Sequence, residues 1–290
     1  MEQQSYHISC YSEYDVLKKV IVCQPQYMTI RSMINETQKH YQAEGIHIEK
    51  ALKQHDAFVQ TLRNHNIEVI LLPYHKKYPE QVFTRDIGFT LGETVFVAQM
   101  ANKVRIGEEN VLKQWLEDEE ISYYNIIGHQ IEGGDVIIDG DHIFIGLSNR
   151  TNQEAIEHLS KLLDKQFTII PIDFHEKFLH LDCVFNIISS EFALYYPEAL
   201  DNSDIKELQA RYELIPVSKE EQFTLGTNVL SIGNKKVISL PVNKKVNQQL
   251  RDRGFEVIEV DITEIIKSGG SFRCCTLPIE RKAGANFSSE

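Results

Sequence analysis

The chain has 290 residues, of which 42% are hydrophobic and 25% charged, and its formal net charge is -12. This composition is ordinary for a globular protein with a buried core. The negative charge disfavours binding to nucleic acid phosphates and suits a small cationic partner. No apolar run approaches the roughly 18 to 20 residues that cross a bilayer, and the first residues lack the pattern of a signal peptide. We therefore expect no nucleic acid partner, no membrane partner and a cytoplasmic location.

The five cysteines are an odd number without regular spacing, which argues against a secreted disulfide framework. Neither a CxxC nor an HExxH motif is present, so we expect no metal site and no cofactor. Two of the cysteines, Cys274 and Cys275, are adjacent. A disulfide between neighbours would be strained, so we expect this pair to be free thiols.

In chain order, the first predicted strand is "KKVIVCQP" at 18–25. The segment 28–45 has no assignable pattern, and we interpret it as a flap. A helix follows at 48–65, and then the strand "IEVILLP" at 67–73.

Thereafter one succession recurs four times: two alternating strands, a helix and a further strand. The strand pairs occupy "DIGFTLGETVFVAQ" (86–99), "EGGDVIIDGDHIFIGLS" (132–148), "HLDCVFNIISSEFALYY" (180–196) and "TLGTNVLSIGNKKVISLP" (224–241). In the second copy we predict a helix over 152–165, with Ala155, Leu159, Leu162 and Leu163 on one side. The polar residues 149–152 suit its start.

A fifth copy begins with the predicted strand "SFRCCTLPI" and lacks the rest of its unit. The starting points Asp86, Glu132, His180, Thr224 and Gly270 lie 46, 48, 44 and 46 residues apart. Such regularity indicates a repeat architecture. Since the N-terminal strand and helix supply what the fifth copy lacks, we expect the two ends to pair and close a ring. Residues 1–290 would then form a single domain.

Strand starts converge on the axis of such a ring, where loops from different units can meet. Asp86 stands at the first start, and Glu132 precedes two glycines at the second. His180 and Asp182 are two apart, so we expect them on the same face of a strand. Cys274 and Cys275 should alternate across the last inner strand. Each residue alone could be an ordinary turn, capping or core residue, but together they predict a site.

A thiol beside a histidine is typical of nucleophilic catalysis. Several carboxylates around a thiol would raise its pKa unless the substrate is itself a cation. A guanidinium meets that requirement, because it is planar, permanently charged and able to make paired hydrogen bonds to carboxylates.

The segments "FTRD", "EGGD", "GLSNRTNQ", "HLDCVF" and "RCCTLP" resemble, in their order, those of the guanidino-modifying enzymes. This family comprises arginine deiminase, dimethylarginine dimethylaminohydrolase and the amidinotransferases, and the likeness covers essentially the whole chain. It implies an α/β fold: a five-bladed, pseudo-fivefold α/β propeller (pentein) closed by its N- and C-terminal segments.

The resemblance implies that Cys274 is the nucleophile and Cys275 a bystander. His180 would be the general acid and base, with Asp86 and Glu132 holding the guanidinium at the catalytic centre.

The resemblance also implies that Arg150, in "SNRT", and Arg105 hold the substrate carboxylate. "GLSNRTNQ" and the short chain look like the dimethylarginine hydrolases, whereas "FTRD" and "HLD" look like arginine deiminase. Asp182 would then grip the second guanidine nitrogen, which would disfavour a methylated substrate. Glu80 stands where dimethylarginine enzymes tend to have a further aspartate.

We therefore expect a hydrolase that attacks the guanidino carbon of a small cationic, arginine-like substrate through a covalent cysteine intermediate. Dimethylarginine dimethylaminohydrolase-type release of citrulline is favoured. The alternatives are arginine deiminase, an amidinotransferase, and a non-catalytic binding module on the same fold. The oligomeric state stays open, with a homodimer as one option.

Overall fold

Each predicted repeat folds as a small three-stranded sheet. The computed structural model describes residues 6–163 and 166–283, and within these ranges the strands form five such sheets. The strands are β1 Val16–Cys23, β2 Glu68–Leu72, β3 Gly88–Leu91, β4 Thr94–Val97, β5 Tyr123–Asn125, β6 Val136–Asp139, β7 His142–Leu147, β8 Thr168–Asp173, β9 Phe185–Ile187, β10 Phe192–Tyr195, β11 Glu213–Pro216, β12 Leu230–Gly233, β13 Lys236–Ser239, β14 Glu256–Glu259 and β15 Leu277–Lys282. The helices are α1 Glu36–Tyr41, α2 Ile48–Asn64, α3 Glu109–Asp118, α4 Gln153–Leu162, α5 Asn202–Gln209, α6 Lys219–Phe223 and α7 Lys244–Asp252.

All five blades share one topology. The inner strand pairs antiparallel with a middle strand, and the middle strand pairs parallel with an outer strand. A parallel pair requires a crossover connection, which a helix usually provides. Helices α3, α4, α5 and α7 cross in four blades, and α2 crosses in the blade built from both chain ends.

Strand β1 closes the ring. It lies between β15, to which it is antiparallel, and β2, to which it is parallel. Val20 accordingly faces Pro278 on one side and Val69 on the other. The expectation that the two ends complete a fifth unit is confirmed, and the fold is a five-bladed α/β propeller. That residues 1–290 make a single domain stays a prediction, because the structure describes only part of that range.

A tight turn precedes the inner strand of every blade, and hydrogen bonds join these five turns in a closed ring. Buried backbone groups need partners, and here each turn supplies them to the next. The links are Gly133 N–H to the Asp86 carbonyl (3.2 Å), Leu181 N–H to Asp135 Oδ1 (2.8 Å), Asn228 Nδ2 to the Asp182 carbonyl (3.1 Å), Arg273 N–H to the Asn228 carbonyl (3.4 Å) and Arg85 N–H to the Cys274 carbonyl (3.0 Å).

The inner strands begin later than the sequence predicts. The predicted strand "SFRCCTLPI" is a turn up to Cys275, and β15 starts only at Leu277. In this turn the Cys275 N–H donates to the Ser271 carbonyl, and the Thr276 hydroxyl donates to the carbonyls of Phe272 and Arg273. These local bonds replace strand pairing, so the expectation that Cys274 and Cys275 alternate across a strand is wrong, and both are buried.

The same correction applies to the third blade. His180 and Asp182 were expected on one face of a strand, but Leu181–Cys183 form a turn of 3-10 helix and β9 starts at Phe185. The Cys183 N–H donates to the His180 carbonyl and the Val184 N–H to the Leu181 carbonyl, so these backbone groups are paired within the turn and not in a sheet.

Helix α4 begins where predicted and ends earlier. The Asn152 side chain accepts from the Ala155 N–H and caps the helix. Ala155 and Leu159 are buried as expected, but Leu162 is 40% exposed. The predicted end at 164–165 lies outside the described residues. Among the helices of the described ranges, none is long and apolar enough to cross a membrane.

We predict that Gly133→Ala destabilises the protein by about 3 kcal/mol, because overpacking a close contact typically costs 1 to 3 kcal/mol and this contact is to backbone. A Cβ at this position would lie 2.2 Å from the Arg85 carbonyl oxygen and 2.3 Å from that of Gly88. The measurement is the free energy of unfolding in urea.

Gly140→Ala is the control, because Gly140 has a φ of +61° but nothing within 4 Å of its added Cβ. It should cost about 1 kcal/mol. Equal losses in the two variants would show that the contact between turns does not constrain the fold.

Candidate active site

His180 lies between two carboxylates at the buried centre of the ring. Its Nε2 is 2.8 Å from Glu132 Oε2, and its Nδ1 is 3.5 Å from Asp86 Oδ1. Gly134 passes directly against this group, since a Cβ there would lie 2.7 Å from the His180 ring and 2.9 Å from Asp86 Oδ1. The second glycine of "EGGD" therefore leaves the room that the histidine and the aspartate occupy.

The charges of this group are coupled. Burial opposes a charge on His180, but the carboxylates of Asp86, Glu132 and Asp135 outweigh it and raise its pKa to about 10. Burial would raise the pKa of Glu132, but the hydrogen bond to His180 and its positive charge lower it to about 2. At neutral pH the pair is thus an imidazolium and a carboxylate, and His180 holds a proton that it can donate.

The Cys274 thiol sits across the ring against a carboxylate and an amide. Its Sγ is 3.5 and 3.6 Å from the two carboxylate oxygens of Asp182 and 3.1 Å from Asn228 Nδ2. A hydrogen bond with Cys183, burial and the charge of Asp182 raise the pKa of Cys274. Without a cationic partner the thiol therefore stays protonated.

Asp182 is fixed from behind by a buried ion pair. Arg273 Nη1 donates to Asp182 Oδ2 over 2.7 Å, and Arg273 Nη2 donates to Glu13 over 2.9 Å. Each of these three charged side chains contacts one of opposite charge, as buried charges require. The carboxylate beside the sulfur is consequently held in one position by the residue that precedes Cys274.

Arg105 binds carboxylates of the protein itself. Its Nη1 donates to Asp86 Oδ2 over 2.5 Å, while Nε and Nη2 donate to Glu108 over 3.0 and 2.9 Å. It is 1% exposed. In this structure, Arg105 therefore lies against Asp86, the carboxylate expected to hold the guanidinium. Its expected contact with a substrate carboxylate stays a prediction.

Arg150 lies at the edge of a cavity of about 270 Å³ that also borders Asn35 and Asn149. Its Nη1 is 3.8 Å from Glu132 Oε1, and its Nη2 donates to the Ile34 carbonyl over 3.5 Å. Nη1 is buried and has no hydrogen-bond partner in the described chain. Arg150 therefore borders open space, and one of its N–H groups makes no hydrogen bond in the described chain although it lies near Glu132.

The segment 28–45, interpreted as a flap, contains helix α1 and contacts the site. Gln38 donates to Glu80 over 2.7 Å and to the Ser268 hydroxyl over 2.8 Å. The Ser268 hydroxyl in turn lies 2.9 Å from Glu80. Burial raises the pKa of Glu80 to about 7, although Arg105 opposes the shift. Glu80 is thus brought near the predicted site residues, where it can carry either charge state at neutral pH.

Several residues that contact the predicted site residues were not predicted from the sequence, among them Glu108, Cys183, Asn228 and Arg273. Asn228 lies 46 residues after Asp182 and 46 before Cys274, so the repeat spacing could have identified it. The fourth start was placed at Thr224 instead. No comparable signal marks Glu108, whose contact with Arg105 depends on the tertiary fold.

Two groups of buried side chains could hold a metal ion by their geometry. Their potential ligand atoms lie within 4.8 Å of one another, and the groups are Asp86, Glu132 and His180, and Asp182, Cys183 and Cys274. Both groups already contain internal hydrogen bonds. The absence of a metal or cofactor requirement stays a prediction.

Comparisons with known proteins identify the family. The model of the family described as "N,N dimethylarginine dimethylhydrolase, eukaryotic" matches residues 24–281. The chain is 54% identical over 272 residues to the Bacillus subtilis protein YkgA, covering 94% of this chain and 95% of that protein. It is 30% identical over 206 residues to the dimethylarginine dimethylaminohydrolase of Mycobacterium tuberculosis. The match covers 69% of this chain and 66% of that protein.

A bifunctional relative shares the fold in one of its domains. The chain is 28% identical over 271 residues to the bifunctional arginine dihydrolase/ornithine cyclodeaminase ArgZ of Synechocystis. The match covers 90% of this chain but only 37% of ArgZ. The crystal structure of the N-terminal domain of ArgZ bound to product superimposes with a TM-score of 0.83 at 27% identity, covering 92% and 98% of the two chains.

The match over residues 24–281 and the shared propeller lead to one assignment. The chain belongs to the N,N-dimethylarginine dimethylhydrolase family, within the superfamily of guanidino-group-modifying enzymes.

Proposed function

We propose that this protein hydrolyses the guanidino group of an arginine-like amino acid through a covalent bond to Cys274. The observation that carries the proposal is a set of three buried polar atoms that make no hydrogen bond in the described chain: Asp86 Oδ1, His180 Nδ1 and Arg150 Nη1. Their contacts with opposite charges are longer ion pairs, of 3.5 Å between Asp86 and His180 and 3.8 Å between Arg150 and Glu132. Buried polar atoms are nearly always paired in folded proteins. A substrate with a guanidinium at one end and a carboxylate at the other would pair with Asp86 and Arg150.

Asp86 already binds one guanidinium. Arg105 donates to its Oδ2, which leaves Oδ1 as an acceptor on the side of His180. Carboxylates accept paired hydrogen bonds from guanidinium groups. A second guanidinium, from the substrate, would therefore meet a carboxylate that is already oriented. Asp182 would receive the same group from the side of the sulfur.

The first half of the reaction forms the covalent intermediate. Binding of the cation compensates the negative charge of Asp182 and favours loss of the proton from the Cys274 thiol to solvent. The thiolate attacks the guanidino carbon, and a C–S bond forms. His180, charged at neutral pH, gives its proton to the departing nitrogen, which leaves as ammonia. The product of this step is a positively charged amidino thioether on Cys274.

The second half releases the urea. His180 is now neutral and accepts a proton from water, whose oxygen attacks the amidino carbon. The C–S bond then breaks and returns the thiolate. The second proton that this hydrolysis releases passes to solvent, where it converts the ammonia to ammonium. In sum, a guanidinium ion and water become a urea and an ammonium ion, so atoms and charge balance. General acid and base catalysis by one imidazole typically contributes 10²- to 10⁴-fold to the rate.

Unmethylated L-arginine fits the Cys274 side of the site better than dimethylarginine. A terminal NH₂ of the substrate could donate two hydrogen bonds, and Asp182 offers carboxylate oxygens within 3.6 Å of the sulfur. A dimethylated nitrogen has no N–H for this carboxylate and would desolvate it without a partner. The sequence favours the dimethylarginine reaction, and the family match supports it as the second candidate. The position of Asp182 supports arginine, with citrulline as the product.

Turnover of L-arginine, with an amidino adduct on Cys274, is the central expected outcome. Purified protein is incubated with L-arginine, asymmetric dimethylarginine and agmatine, and citrulline, ornithine and ammonia are quantified. Intact mass spectrometry after rapid quenching should show the adduct, which should be absent in Cys274→Ser.

Cys275→Ser is the matched control and should keep both adduct and turnover, because Cys275 has no role in the proposed chemistry. No turnover of any of the three guanidines would reject the hydrolase proposal. Ornithine formed only when glycine is supplied as an acceptor would indicate an amidinotransferase.

Substitution Asp182→Asn should change substrate preference. It preserves the shape of the side chain but removes the charge, so kcat/KM for L-arginine should fall about 10- to 100-fold, the range expected for a hydrogen bond to a charged group. The value for dimethylarginine should fall less. Asp139→Asn is the control, since Asp139 binds the hydroxyls of Tyr14 and Tyr212 away from the site. An equal loss for both substrates would contradict the proposed contact.

Substitution Arg150→Gln should raise the KM for L-arginine about 10- to 100-fold, because it removes a charged partner of the substrate carboxylate. Agmatine lacks that carboxylate, so its KM should change little. Arg253→Gln removes an arginine of a surface ion pair with Glu213 and should leave both values unchanged. Equal effects of Arg150→Gln on the two substrates would show that Arg150 does not bind the carboxylate.

A further inference from the structure

Asn228 is a fully buried residue of the fourth blade that contacts the reacting sulfur. Its Oδ1 accepts the Cys274 backbone N–H over 3.1 Å. Its Nδ2 donates to the Asp182 carbonyl over 3.1 Å and lies 3.1 Å from Cys274 Sγ. One amide thus binds the backbone of the proposed nucleophile, its sulfur and the backbone of the neighbouring carboxylate.

The partners fix which end of the amide faces the sulfur. A backbone N–H can only donate and a backbone carbonyl can only accept. The atom opposite the Cys274 N–H must therefore be the amide oxygen, and the atom opposite the Asp182 carbonyl must be the amide nitrogen. The second N–H of that nitrogen is then available to Sγ. Exchanging the two ends would place donor against donor and acceptor against acceptor.

The amide also differs electrically from the other groups at the sulfur. Asp182 brings a negative charge to within 3.6 Å of Sγ, and such a charge disfavours the thiolate. The Asn228 N–H favours the thiolate, because a hydrogen bond donated to a charged form stabilises it. A carboxylate at position 228 has no proton to donate in a hydrogen bond, either to the Asp182 carbonyl or to the sulfur. The neutral amide meets both needs.

We propose that Asn228 is a further catalytic residue, which orients Cys274 and donates an N–H to its sulfur when the thiolate attacks and again when it leaves. The proposal rests on the proposed hydrolysis through Cys274. The fourth blade, whose turn bears no histidine, carboxylate or thiol, then contributes Asn228 to the chemistry.

The test measures the thiolate directly, without relying on turnover. The rate of Cys274 alkylation by iodoacetamide is followed from pH 6 to 11 by mass spectrometry. Cleavage after Arg273 and Arg281 leaves Cys274 and Cys275 in one peptide, so all variants carry Cys275→Ser. Asn228→Asp keeps the size and the acceptor but removes the donor. Its alkylation midpoint should rise by about one pH unit or more, a shift expected from loss of a hydrogen bond to a charged group.

Asn228→Ala provides the same test without an added charge, in case Asn228→Asp does not fold. Its midpoint should also rise, and kcat for L-arginine should fall about 10- to 100-fold in whichever variant folds.

Asn186→Ala is the matched control. Asn186 is buried and donates to the carbonyls of Thr227 and Val229, on either side of Asn228, but does not contact the sulfur. It should lower thermal stability and leave the alkylation midpoint unchanged. If Asn186→Ala shifts the midpoint as much as Asn228→Ala, Asn228 only supports the turn and the proposal is wrong.

The two proposals can fail separately. Unchanged midpoints in both Asn228 variants would overturn the role of Asn228 while arginine hydrolysis by the parent protein stands. A raised midpoint in a protein that turns over no guanidine would support the contact with the sulfur and reject the proposed function.

Discussion

The ring of hydrogen bonds between the five axial turns is the constraint on which the site depends. Buried backbone donors and acceptors must be paired, and at the axis each turn has at least one such group paired with a neighbouring turn. Each turn is therefore fixed by its neighbours, and none can move alone. Gly133 shows how close this approach is, since a Cβ there would overlap two carbonyl oxygens of the first blade. Side chains that leave these turns start from a rigid backbone.

Burying so many charges at that axis requires compensation, and the structure supplies it in pairs. Arg273 bridges Asp182 and Glu13, Arg85 lies 3.6 Å from Glu13, and Arg105 joins Asp86 to Glu108. Charges buried in this way are costly unless they are paired and hydrogen-bonded. The centre is consequently polar but already oriented. In such a site the groups that stabilise a transition state need little reorganisation during the reaction.

Equivalent turns of the five blades carry side chains of different chemical types. The turns of the first three blades contribute acids and the histidine, the fourth an amide, and the fifth the thiol. Acid groups, imidazole and thiol thereby share the buried centre of the ring, where the thiol lies against Asp182 and Asn228. One fold can carry many reactions for this reason: the turns set the positions, and the side chains on them set the chemistry.

The order and spacing of residues along the chain predict the ring and most of the residues that meet at its centre. Periodic hydrophobic patterns and starting points 44 to 48 residues apart give the five units and the pairing of the two chain ends, because each unit must bury its apolar strands against the next. The same spacing brings Asp86, Glu132, His180, Asp182 and Cys274 to one axis. These properties depend on local pattern and on repetition, both of which are visible in a single chain.

The contacts between those side chains depend on the tertiary fold. The positions of Cys274 and His180 in turns rather than strands result from local hydrogen bonds that alternation cannot reveal. The pairing of Arg105 with Glu108 and Asp86, and the contact of Asn228 with the sulfur, join groups from different parts of the fold. Such contacts depend on distances of a few ångströms between buried side chains, and the order of residues along the chain does not contain those distances.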